Sequence, residues 1–260
     1  MAYLVPAAES GPREATAAGL GRLAGHARLR PATMIDDSLD ARLWPYVAPY
    51  VALLALAELG RWLPGLEAPL LAARVLLPAA LLWIAWRQGA YAELRRGARR
   101  AGLSDVVFGL GIAALWVGPY LLWPALPRGE PFDPDLLGPA RRGAWLALRL
   151  GGFVLVSPLV EELFVRSFLH RVVESWPRWT EFAQLEIGRP HALAFTVTSV
   201  WFLLSHVPWE WWVAAPTGAL FNAWLYQRGN LRSVWLAHVV ANCAIGALVV
   251  LGPAGLWAFL

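Results

Sequence analysis

Lysine is missing from this chain: all 22 Lys-plus-Arg positions are arginine. That uniformity points to coding bias more than to mechanism. Charge of either sign is scarce, at 15% of residues, where a soluble domain carries about 25%. The single cysteine, Cys243, excludes an internal disulfide and a cysteine-based zinc site. His-Glu-x-x-His does not occur, which argues against a zincin. No tandem repeat and no separate soluble domain is visible. Residues 1–42 lack an apolar core, so they do not read as a secretory signal peptide.

Apolar length, by contrast, is abundant. Hydrophobic residues make up 58% of the chain. They fall in long runs separated by short Arg, Gly and Pro clusters, the layout of a multi-span helical membrane protein. In lipid an open strand leaves its backbone unsatisfied, so the expected fold class is all-α: a polytopic transmembrane helical bundle. The expected spans are 44–60, 68–88, 104–124, 143–174, 191–207, 211–228 and 231–252, giving about seven to eight crossings. A kink is expected at Ser157-Pro158. Residues 1–42 read as a mobile arm and 43–260 as the transmembrane domain; Met34, just ahead of the first span, is an alternative start. Several of the 16 tryptophans, such as Trp44, Trp62, Trp123, Trp145 and Trp257, lie near span ends, as interfacial belts require.

The pI near 9.7 raises nucleic acid as a partner. The arginines sit at helix flanks, however, so loop orientation explains them and no nucleic-acid partner is expected. Arg95, Arg96, Arg99 and Arg100 fall on one side of a seven-span chain, with Arg178, Arg189, Arg228 and Arg232. The positive-inside rule then places the N-terminus in the cytoplasm, in a membrane expected to be a bacterial inner membrane.

Ionisable groups inside spans cost about 2.5–3.5 kcal/mol each on insertion scales, so those retained are informative. Glu161 and Glu162 precede Arg166 in one span. His206 ends another, four residues after Phe202. His238 and Asn242 share one face of the last span, being i and i+4. Glu162 and Arg166 have the same spacing and can pair. Adjacent helical positions diverge by about 100°, so Glu161 and Glu162 do not point together. One acid can face a reaction chamber while its neighbour is held by Arg166; the spacing fits Glu161 as the free one, with the reverse left open. A carboxylate at low dielectric serves as general base on water. A histidine shares that task or binds a metal. A second histidine and an asparagine amide can donate to an oxyanion. His170 and His191, near span ends, read as interfacial.

At these residues the chain resembles the CAAX-protease and bacteriocin-processing family of intramembrane glutamate proteases. The motifs that carry the likeness are Glu161-Glu162-Leu163-Phe164-Val165-Arg166, Phe202-Leu203-Leu204-Ser205-His206 and His238-Val239-Val240-Ala241-Asn242. They stand in order on successive apolar segments within 157–242. His206 followed by Glu210, with the Trp-rich C-terminus, is similar to the subgroup that accompanies exosortase systems. The resemblance implies that Glu161 and His206 activate water, and that His238 and Asn242 stabilise the oxyanion. Glu162, Arg166 and Phe202 support them. It implies a membrane-tethered protein or peptide as substrate, in contact with membrane lipid. It leaves open whether a divalent metal takes part, with Glu161, His206 and His238 as candidate ligands, and leaves the oligomeric state open. A non-catalytic immunity or scaffold protein is the rival reading, and a proton-coupled transporter the third.

Strict alternation of seven spans creates a conflict. His206 falls at the outer end of its helix and His238 near the inner end of its own. The two meet only if segments around Pro158, Pro208 and Pro216 are kinked, tilted or re-entrant. Irregular backbone at depth is tolerated where it lines a water-filled cavity.

Overall fold

The computed structural model describes residues 37–260 apart from 64, 96–100, 130–137, 253 and 260. Most of the arm expected over 1–42 therefore lies outside the described residues. The described chain is helical, with no strand. The helices are α1 (Asp37–Trp62), α2 (Glu67–Arg87), α3 (Leu103–Leu122), α4 (Pro139–Glu174), α5 (Ala192–Leu204), α6 (Trp211–Arg228) and α7 (Leu231–Leu251). Each expected span has its helix. Among the described residues, α1 to α4 and α7 contain stretches long and apolar enough to cross a membrane.

Side-chain placement is that of a membrane bundle. Leu76, Trp83, Leu103, Val107 and Leu122 are exposed, while Asp105, Glu162, Arg166, Ser167 and Asn222 are fully buried. Apolar residues on the outside with polar ones inside suit a lipid surround. α3 lies tightly on α7: a Cβ at Gly109 would overlap the Ala237 carbonyl. Small residues at such crossings let backbones approach. α6 turns into α7 through Gly229, which takes the left-handed conformation at φ 62°, a position that favours glycine. Asn230 then caps α7, its side chain accepting from the Ser233 N–H at 2.9 Å.

Two features position the site. α4 does not break at Pro158. It stays helical from Pro139 to Glu174 but winds as π-helix over Gly152–Val156 and Glu162–Leu169. Proline lacks the N–H of the α-helical ladder and its ring crowds the preceding turn. The wider winding just before Pro158 accommodates that defect without a break, and such bulges gather at functional sites.

The second feature is the length of α5. It has 13 residues, about 20 Å at 1.5 Å per residue, short of the ~30 Å hydrocarbon core. A helix of that length that starts at one membrane face ends at depth. Residues 205–210 reverse the chain there, through a 3-10 turn at Pro208–Glu210, before α6 runs back. His206 thereby meets the middle of α7, and the conflict of strict alternation disappears.

Candidate active site

The site is assembled by α4, α5, α7 and the 205–210 reversal. Glu162 is completely buried. Its Oε1 accepts from the Arg166 guanidinium at 3.2 Å and pairs with His238 Nδ1 at 2.7 Å. Arg166, also fully buried, lies over the rings of Phe202 at 4.6 Å and Phe221 at 5.3 Å. The guanidinium charge is thus met by one carboxylate and two aromatic faces. A buried ion pair needs such close geometry to offset its desolvation.

Glu161 has a different environment. Its Oε1 accepts from the Ser157 hydroxyl at 2.7 Å, and its Oε2 stands 4.0 Å from His238 Nε2. The side chain lines a cavity of about 580 Å³. His206, His238 and Asn242 line the same cavity. His206 Nδ1 lies 2.7 Å from the Phe202 carbonyl. A carbonyl only accepts, so Nδ1 carries the proton and Nε2 of the neutral ring keeps its lone pair. Phe202 packs on that ring at 4.5 Å, and Trp116 at 5.1 Å.

The structure therefore brings Glu161, His206, His238 and Asn242 to one chamber and sets Glu162 and Arg166 behind them. The pairing of Glu162 with Arg166 agrees with the i,i+4 spacing. Asn242 adds a constraint: its Nδ2 donates to the Phe153 carbonyl at 2.7 Å. One amide hydrogen is thereby committed to tying α7 to the π-wound part of α4, and the second is left for the chamber. Among the described residues, no three His, Cys, Asp or Glu side chains are grouped to hold a metal. Glu161, His206 and His238 do not form such a set.

Residues match the family described as type II CAAX prenyl endopeptidase, Rce1-like, over 143–244. The match is consistent with the CAAX-protease family that the three motifs resemble. No curated protein and no solved structure matches the chain. The Rce1-like domain contains all three motifs, from Glu161 to Asn242. It leaves α1, α2 and α3 outside, although these helices supply part of the chamber wall through Tyr50, Arg74 and Trp116.

Several chamber residues escape sequence reasoning. Arg74 and Arg149 reach the wall from α2 and α4. A charged residue within an apolar span was the available signal. Glu210, singled out beside His206 in the sequence, lines the chamber too. His170, near the end of α4, is buried against protein, with Nε2 2.7 Å from the Tyr226 hydroxyl.

Proposed function

We propose that the chain is an intramembrane endopeptidase that hydrolyses a peptide bond in a membrane-associated protein. The observation that carries this reading is the single chamber onto which Glu161, His206, His238 and Asn242 all open. A water held between Glu161 and His206 Nε2 gives up a proton to one of these bases as its oxygen attacks the scissile carbonyl. The resulting oxyanion accepts a hydrogen bond from His238 Nε2 in its protonated form, and from the second Asn242 amide hydrogen. The abstracted proton then passes to the amide nitrogen. The C–N bond breaks, leaving a carboxylic acid and an amine. Glu162 and Arg166 hold His238 in place and touch no reacting atom. The cytoplasmic N-terminus and inner-membrane location belong to the same reading and rest on the arginine distribution.

Reconstitution of the full chain with a membrane-tethered peptide tests it. Wild type cuts the peptide, while Glu161→Ala and His206→Ala do not. Equal cutting by all three sinks the proposal. The commitment of Asn242 to Phe153 favours a second reading, a non-catalytic membrane protein that keeps the cluster as a binding site. Function that survives Glu161→Gln selects it.

A further inference from the structure

The chamber wall is electrically divided. One end carries Glu161 and Glu210, together with His206. The other is formed by α1, α2 and the first part of α4, and it presents Arg74 and Arg149. The two arginines come from different helices but adjacent places. Val75, next to Arg74, packs directly on Gly152, one turn beyond Arg149. Among the described residues, Glu58 is the acid on this part of the wall, beside two guanidiniums, and all three hold interactions of their own.

Position along α4 gives the distance. Arg149, Phe153, Ser157 and Glu161 follow at four-residue steps, and all line the chamber. Twelve residues of helix separate the first from the last, five of them in the wider π winding, so the span is somewhat under ~18 Å. An extended peptide covers that with about five residues at ~3.3 Å each. A ligand whose scissile bond sits at Glu161 can therefore place a group at the arginines while remaining one continuous chain. Guanidinium binds carboxylate in a fork geometry and keeps its charge when desolvated.

We propose that Arg74 and Arg149 form an anion-binding subsite of the chamber that takes a carboxylate of the bound peptide, a few residues from the bond cut. This inference deepens the endopeptidase reading and rests on it. The carboxylate has two sources, the peptide's C-terminus or an acidic side chain. The subsite selects substrates and touches no reacting atom.

Equilibrium binding to the full chain in phosphatidylcholine nanodiscs tests the subsite. The probe is one fluorescent hydrophobic decapeptide made as the C-terminal acid, as the amide, and as the amide with an internal aspartate. The acid or the aspartate form binds about tenfold more tightly than the plain amide, and the form that gains identifies the source. The Arg74→Gln/Arg149→Gln pair loses that gain, while the Arg74→Lys/Arg149→Lys pair keeps most of it. Equal binding of the three peptides by wild type overturns the proposal, as does a gain that survives in the glutamine pair. If phosphatidylglycerol added to the discs abolishes the gain, the arginines hold a lipid phosphate and the proposal fails. Should the glutamine pair not fold, the wild-type comparison and the lysine pair decide. Cleavage of the same peptides by wild type, and not by Glu161→Gln, reads the endopeptidase claim separately. Peptides that bind with the gain but are never cut break that claim alone.

Discussion

Two buried charge clusters sit on the same stretch of α4, one residue apart in sequence, and they are built for opposite ends. The first is Glu162, Arg166 and His238. The second is Glu93, Ser167 and Arg171, closed by Tyr46. Glu93 Oε1 accepts from the Tyr46 hydroxyl at 2.8 Å, the Ser167 hydroxyl at 2.5 Å and Arg171 at 3.3 Å. Arg171 donates as well to the Ser167 carbonyl and hydroxyl, both at 2.6 Å. Tyr91, in the 88–102 connection, donates to the Pro45 carbonyl at 2.6 Å. Burial, and then the charge of Glu93, hold its phenol above the ordinary range. None of these side chains lines the chamber. The knot fastens the start of the 88–102 connection to α1 and α4. The first cluster is similarly buried at Glu162 and Arg166, but through His238 it reaches the chamber and faces Glu161. Burial of charge therefore does not by itself mark a site. What marks it is a charged network with one face open to a cavity.

Substitutions can break this comparison. Glu161→Gln is expected to cut turnover by about 10²–10⁴-fold, the usual contribution of a positioned base. The unfolding temperature should hardly move, since Glu161 has the Ser157 hydroxyl as its close partner; turnover and thermal scans on one preparation check both. Glu162→Ala should cost about 3–5 kcal/mol of stability by stranding buried Arg166, and should lower activity too because His238 loses its anchor. Thermal unfolding in detergent measures the first, and peptide cleavage by the folded fraction the second. Glu93→Ala should cost about 3 kcal/mol by the same mechanism while leaving kcat/KM of the folded protein unchanged. A fall in kcat/KM would show that the two clusters are coupled. Ser157→Ala is the mildest. It removes one hydrogen bond to Glu161, worth about 0.5–1.5 kcal/mol, and should lower kcat a fewfold with KM unchanged.

The sequence makes much of this bundle readable, for a definite reason. A span must satisfy its own backbone, so apolar length identifies a helix, and α1 to α7 fall where hydropathy places them. Residues at i and i+4 share a face, which is enough to pair Glu162 with Arg166 and to put His238 beside Asn242. Contacts between distant positions have no such period. The Glu162–His238 bond joins positions 76 apart, and the Asn242–Phe153 bond joins positions 89 apart. Neither leaves a local trace. The π winding around Pro158 is hidden too, because proline announces a defect without saying whether the chain bends or rewinds. Arg74 lies in a span that carries no motif, and Arg149 stands well before the motif of its own span; only the chamber shows that both belong with Glu161.

The brevity of α5 reaches beyond the site. Its outer face carries Leu193, Val200, Trp201 and Leu204, all exposed. Lipid beside this face meets an apolar stretch about 20 Å long, roughly 10 Å less than an ordinary hydrocarbon core. Because the chain turns back there, lipid beyond Leu204 meets the 205–210 reversal and the exposed Trp211 and Trp212 in place of a continued helix. Bilayer thickness is therefore expected to bear on this reversal, and peptide cleavage compared across acyl-chain lengths reads it.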